Sequence, residues 1–235
     1  MTVDEIMNEL QTMGSESIKK ILLKHGIKEP FFGVKVEHLK TIRKKVKKDY
    51  QLAKDLYATG NADAMYLAGL IADDELMTKE DLQTWVKHAV SNNISEYTVP
   101  WVAAGSRYGY ELATNWINDT DEYISAAGWS TLSNVVSLKP DNELDIPALR
   151  SLLKRIEETI HASANRVRYT MNTFIICVGC YVPVLTNDAL DAAKRIGTIT
   201  VDMNGTACKI PRPEDYIKKL TDKGTLGVKK KTVKC

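Results

Sequence analysis

The chain has 235 residues, 44% of them apolar and 26% charged, with 32 Lys or Arg against 30 Asp or Glu. That length allows one large domain or two small ones, and the apolar share is ordinary for a folded globular chain with a sizeable core. No apolar run approaches the ~20 residues needed to cross a bilayer, and the opening MTVDEIMNEL is acidic where a secretory signal would be basic, so a cytoplasmic location and no membrane partner are expected.

The net charge of +2 hides an asymmetry. Residues 194–235 hold eleven Lys or Arg against four acids, which leaves the first 193 residues at −5. A second run, KTIRKKVKK from Lys40 to Lys48, carries six positive charges and no acid. A polyanion-binding surface needs such clustering, although a solvated helix face and a frayed tail would carry the same residues.

Taken in order, Ile6 and Leu10 open a short helix, and Ser15 stands to cap the next, which runs through Ile18, Ile21 and Leu22 to Gly26. Pro30 and Gly33 bracket a loop whose Phe31 and Phe32 are expected to plug into the core. Glu37 to Lys48 then reads as a helix, with Val36, Leu39, Ile42 and Val46 on one side and the basic residues on the other. Ala62 to Ala72 is apolar nearly all round, as in a helix packed between neighbours. Thr78 and Asp81 form a capping box ahead of Leu82, Trp85, Val86 and Ala89 at helical spacing.

In the stretch ISEYTVPWVAAGS, Ile94 to Ser106, Tyr97 and Trp101 lie four residues apart and so share one helix face, with Glu96 beside it. Pro100 removes a backbone donor, so a helix either starts near Val99 or is kinked there. The plainest assignment puts Trp101 and Val102 in the core and leaves Glu96 as a solvated carboxylate at a helix start. Similar small-residue-rich segments recur near 99, 126 and 168, at intervals of about 30 to 40 residues, the length of a helix pair in a HEAT-like array.

Further on, Leu149, Leu152, Leu153, Ile156 and Ile160 mark one helix, and Val167, Met171, Phe174, Ile175 and Val178 mark the next. Arg166 and Arg168 fall in its first turns, where cations oppose the helix dipole. They serve a partner or pair with Glu157 or Glu158 across the loop. After a helix from Asp188 to Ile196, Asn204-Gly205 between two alternating segments predicts a type I′ hairpin. Pro213 and Gly224 bound one more short helix, and GVKKKTVKC is expected to be an extended basic tail.

The expected architecture is all-α, a single domain over residues 1–235. A curved α-solenoid of HEAT-like antiparallel helix pairs fills 1–197, a small β-hairpin 198–211, and a short helix with the basic tail 212–235. Cys177-Val-Gly-Cys180 has metal or redox spacing, and Cys208 and Cys235 would complete a set of four, but the pair sits in an apolar helical pattern that suits buried, reduced thiols. No Gly-rich phosphate loop, G-x-S-x-G elbow or histidine cluster is present, and His25, His38, His88 and His161 stand singly. Neither a cofactor nor a metal is expected.

Four stretches, FFGVKVEHLKTIRK, NRVRYTMNTFIICVG, VDMNGTACKIPRPEDYIKK and the closing KKKTVKC, together resemble the AlkD-like DNA alkylation repair family. The resemblance covers essentially the whole chain, and its C-terminal third looks like a divergent subgroup. It implies a curved stack of HEAT-like helix pairs whose concave, basic face holds duplex DNA. In active members it implies hydrolytic release of N3- and N7-alkylated purines. The family's glycosylases carry a W-x-x-x-D arrangement on a central helix; here Glu96 falls where the aromatic is expected and Pro100 where the carboxylate should be. A family arginine maps near Ala126, and a later family aromatic maps to Phe174.

Three functional expectations follow from different classes. The first is a monomeric DNA-binding relative that lacks the catalytic carboxylate and grips duplex, damaged or branched DNA through Lys44, Lys45, Lys47, Lys48, Arg166, Arg168, Lys229, Lys230 and Lys231. The second is an active glycosylase with Glu96 as a relocated carboxylate and Tyr97, Trp101 and Phe174 facing base or sugar. The third is a protein-binding helical scaffold. Reversing the charges of Arg166 and Arg168 together is expected to weaken DNA binding and leave the melting temperature nearly unchanged.

Overall fold

The computed structural model describes residues 1–89 and 91–235. Thirteen α-helices are present among the described residues, most of them joined by short connections. Three lead the chain: α1 (Val3–Met13), α2 (Glu16–Lys24) and α3 (Val36–Val46). Then α4 (Tyr50–Ala58) packs on α5 (Ala62–Ile71), α6 (Lys79–Lys87) on α7 (Val99–Gly105), and α8 (Gly109–Trp116) on α9 (Glu122–Leu138). After α10 (Ile146–Thr159) come α11 (Asn165–Tyr181), α12 (Thr186–Ile196) and α13 (Pro213–Asp222), packed on one another. The helices α5, α7, α9, α11 and α13 form an inner row in which each touches the next.

The inner row is buried for reasons that local sequence carries. Nine of the ten residues of α5 are buried, as its all-round apolar pattern requires. The buried helix α9 holds hydroxyls, and three of them return a hydrogen bond to their own helix: Thr131 to the Ala127 carbonyl, Ser133 to Trp129 and Ser137 to Ser133. A Cβ at Gly128 would lie 2.7 Å from the Ile117 backbone nitrogen, so glycine is what lets α8 and α9 approach this closely. The capping box at Thr78 and Asp81 is formed, and Phe31 is buried while Phe32 is partly so. Helix α2 buries no residue fully: Leu22 packs with Ile27 and Phe31, whereas Ile21 is 52% exposed.

The hairpin expectation needs correction. There are no strands among the described residues, and 198–211 is irregular. Its turn is right: Asn204 and Gly205 both take positive φ, 53° and 68°, and the Thr206 amide donates to the Met203 carbonyl. What fails is the pairing of the two legs. Asn165 at the start of α11 exchanges both hydrogen bonds with the Asp202 backbone, and the Asn172 amide donates to the Pro211 carbonyl. The helix takes the backbone groups that a ladder would have used.

The basic tail is extended, but it is not free. It runs back across the C-terminal ends of three inner helices. The Gly227 amide donates to the Cys180 carbonyl of α11, and the Lys230 amide to Ser137 of α9. The Lys229 ammonium reaches the Val136 carbonyl of α9 at 2.9 Å, and the Lys234 ammonium reaches Ala72, which caps α5, at 2.9 Å. The last carbonyls of a helix have no partner within it and form the negative end of its dipole, so amides and ammonium groups satisfy both needs. This segment is a strap that caps the array.

Candidate nucleic-acid interface

The chain turns unusually at the stretch containing Pro100. Ile94–Thr98 is a π-helical turn, closed by a bond from the Val99 amide to the Ile94 carbonyl, and α7 follows with Pro100 in its first turn. In a continuous α-helix Pro100 would leave the Glu96 carbonyl unpaired and its ring would clash there; the wider turn lies directly before it. Of the two alternatives the proline left, a start near Val99 or a kink, α7 takes the start at Val99, and Glu96 sits in the widened turn before it.

Glu96 is not the solvated carboxylate expected at a helix start; it is 6% exposed. Arg166 holds it in a bidentate pair, with Nε donating to Oε1 at 2.6 Å and Nη2 to Oε2 at 2.7 Å. Burial pushes the Glu96 carboxyl above the ordinary carboxylate range, and the guanidinium opposes that shift. The Arg166 guanidinium also lies over the Tyr169 ring, 4.5 Å from its centroid, and the Arg166 amide donates to Glu122 at 2.6 Å. Two carboxylates thus offset the unfavourable placement of a cation at the start of α11. Of the two alternatives for Arg166, a binding partner or an ion pair with Glu157 or Glu158, the second does not form: Glu157 pairs with Arg195 and Glu158 lies within reach of Lys154.

The aromatic expectations divide. Tyr97 is 44% exposed, whereas Trp101 at 3% and Phe174 at 0% belong to the core. Trp101 meets Tyr66 edge-on at 5.2 Å, and Phe174 meets Trp129 edge-on at 5.4 Å. Core packing, not a ligand, accounts for both rings, because a small-residue-rich helix row needs large side chains between its layers.

A cavity of about 360 Å³ opens beside Glu96 and Arg166, with Tyr66, Tyr97 and Tyr169 on its walls. It contains one more carboxylate, Asp63, and that one is also engaged: it accepts the amides of Phe32, Gly33 and Val34 at 2.7 to 3.3 Å. Burial raises the Asp63 carboxyl while those amides oppose. A second cavity, of about 700 Å³, is a basic basin lined by Lys40, Arg43, Lys44, Lys47, Lys48 and Lys231 among others. Among the described residues Lys40, Arg43, Lys44, Lys47 and Lys231 have no carboxylate within ion-pair distance, while Lys48 reaches Asp73 at 3.4 Å.

The remaining cations depart from expectation. Lys45 pairs with Glu9 at 2.6 Å, Lys229 with Asp141 at 2.8 Å, and Lys230 lies over the Tyr181 ring. Arg168 is half-buried, and its Nε has no hydrogen-bond partner. Lys40, Arg43, Tyr66 and Tyr169 were not singled out from the sequence; Lys40 and Arg43 lie in the basic run itself, and Tyr169 lies one turn beyond Arg166. In α11, burial pushes the Cys177 and Cys180 thiols up, Cys180 to about 12, which suits packing and not thiolate chemistry.

Lys47 ends α3 with φ 66° and ψ −125°, a backbone conformation natural to glycine. A non-glycine residue there carries about 1–3 kcal/mol of strain. Lys47→Gly should therefore raise stability by about 1 kcal/mol in urea unfolding and at the same time weaken binding of any polyanion in the basin. A variant that is destabilised, or that binds duplex DNA as tightly as the parent, would contradict this.

Comparisons with known proteins converge on one family. The profile of a family described as "DNA alkylation repair enzyme" matches residues 6–202. The uncharacterized protein Lin0241 of Listeria innocua is 31% identical over 225 residues, covering 93% of this chain and 97% of its own. The uncharacterized protein Lmo0209 of Listeria monocytogenes is 32% identical over the same shares. A solved structure at 35% identity superposes with a TM-score of 0.91 over the full length of both chains, and it is described as "A new family of proteins related to the HEAT-like repeat DNA glycosylases with affinity for branched DNA structures". The helix array is thus a HEAT-like repeat fold, and the chain belongs to the DNA alkylation repair enzyme family.

Proposed function

We propose that this protein is a DNA-binding member of the family that recognises branched DNA by shape and phosphate contacts and does not excise alkylated purines. The observation that carries the reading is the state of the carboxylates beside the central cavity. Cleavage of an N-glycosidic bond builds positive charge on the sugar, and a free carboxylate close to it is what would stabilise that charge and orient water. Glu96 is committed to Arg166 in a bidentate pair and Asp63 to three backbone amides. Neither is available without breaking a buried interaction. The basin beside them supplies unpaired cations that suit phosphate, and the solved relative at 35% identity is described as having affinity for branched DNA. Anion binding through several lysines makes affinity fall steeply with salt and depend little on base sequence.

The test measures release of 3-methyladenine and 7-methylguanine from methylated duplex DNA, beside titrations of a four-way junction and a duplex across a salt series. Expected are release at the spontaneous rate, tighter binding to the junction, and a salt slope that drops by about one for each of Lys44→Ala and Lys47→Ala. Release that disappears in Glu96→Gln would establish an active glycosylase instead. Absence of DNA binding at physiological salt would favour the scaffold reading.

A further inference from the structure

The cavity beside Glu96 does not stand alone. A further cavity of about 290 Å³ lies along α11 toward α13, and the two share Glu96, Tyr97 and Tyr169. Because they share these walls we read the two as one channel: Tyr66 lines the first cavity, Tyr97 and Tyr169 line both, and Tyr181 and Tyr216 line the second. Tyr97 and Tyr216 are 44% and 47% exposed, so two of these rings present much of their surface to solvent. Cations flank the rings: the Arg166 guanidinium at Tyr169 and the Lys230 ammonium at Tyr181. The two Arg166 nitrogens that hold Glu96 are committed, but Nη1 meets only the Met203 sulfur at 3.7 Å. A thioether is a weak acceptor, which leaves donors there for a carbonyl or ring nitrogen.

Volumes of this size admit small planar groups one after another, and they exclude a duplex. A row of accessible aromatic rings interleaved with cations is the arrangement by which proteins hold unpaired bases, because every base has a face to stack and every linking phosphate a charge to meet. The lysine basin adjoins the channel, since Cys235 lines both. We propose that the tyrosine channel along α11 holds unpaired bases of a single strand emerging at a DNA branch, while the adjoining basin holds phosphates. The inference rests on the branched-DNA reading and adds the feature that distinguishes a branch from a duplex.

The experiment titrates the full chain with a forked duplex bearing two unpaired arms, a blunt duplex of the same paired sequence, and the fork with 2-aminopurine in the first unpaired position. Stacking on a tyrosine quenches 2-aminopurine, whereas phosphate contact alone does not. Expected are a preference for the fork over the blunt duplex and quenching on binding. In Tyr97→Ala and Tyr169→Ala the fork-to-duplex preference should fall about ten-fold, the loss that goes with one base stack, and quenching should vanish. Tyr97→Phe, which keeps the ring, should restore both. Thermal melting of each variant separates lost binding from lost folding. Salt-dependent binding that is equal for fork and duplex, without quenching, overturns the channel and leaves the phosphate basin standing. No binding to either DNA overturns both.

Discussion

Arg166→Ala should lower the unfolding free energy by about 3–5 kcal/mol, among the largest effects expected of a single substitution in this protein. The side chains of Arg166 and Glu96 are 12% and 3% exposed, so the truncation strands a largely buried carboxylate without its partner. It also opens space beside Tyr169, over whose ring the guanidinium lies. Glu96→Gln with Arg166→Met removes both charges at similar volume and should recover much of the loss, because the penalty comes from leaving one partner alone and not from the absence of an ion pair. Urea unfolding of the single and double variants measures this directly. An Arg166→Ala protein within ~0.5 kcal/mol of the parent would show that Glu96 finds another partner or water. The expectation that charge reversal at Arg166 and Arg168 leaves the melting temperature unchanged is accordingly withdrawn: with Glu at position 166, two carboxylates would share a buried site. DNA binding by that variant would then report on folding as much as on contact.

The second large effect is expected in the strap. The Lys234 side chain is 9% exposed, and its ammonium holds the Asp74 carboxylate at 2.6 Å and the Ala72 carbonyl at 2.9 Å. Burial pushes the Lys234 amine down and the Asp74 carboxyl up, with each partner's charge opposing the other's shift. Lys234→Ala should lower stability by about 2–3 kcal/mol, since it leaves both a carboxylate and a helix-end carbonyl without a donor. Lys231→Ala, at an exposed position in the same segment, should change stability by less than ~0.5 kcal/mol and act only on DNA affinity. Equal melting temperatures for the two variants would mean that the strap is not held by Lys234. The contrast matters for function because a lysine tail is easily taken for a free DNA-binding arm. Lys229 and Lys234 are held in ion pairs; Lys231 and Lys234 both line the basin, and of the two Lys231 has no carboxylate within ion-pair distance among the described residues.

Local sequence was sufficient for much of the helical order. The Thr78 capping box, the stop at Gly26 and the buried face of α5 are each decided within a few residues, by backbone donors that need acceptors or by the spacing of apolar side chains, while Pro100 narrowed its segment to a helix start or a kink. The Asn204-Gly205 turn is local in the same sense, and it formed; the hairpin around it depended on whether the two legs found each other or found α11 first. The basic run from Lys40 to Lys48 announced a cationic surface because charge is a property of the residues themselves. Which of those charges remain free was a matter of what lies opposite, and Glu9 takes Lys45.

The site was the least local part. Glu96 and Arg166 are separated by seventy residues and Lys234 and Asp74 by 160, and no periodicity relates such partners. Trp101 and Phe174 could not be told from ligand-facing rings by spacing, because a helix face that turns toward a groove and one that turns toward a neighbouring helix have the same sequence pattern. Residue chemistry alone determined a helical, unevenly charged protein with a lysine-rich end. Tertiary packing decided that its central carboxylates are engaged, Glu96 by a guanidinium and Asp63 by backbone amides, that its tail is a strap, and that its tyrosines line neighbouring cavities, because each of those properties depends on which distant groups are brought together.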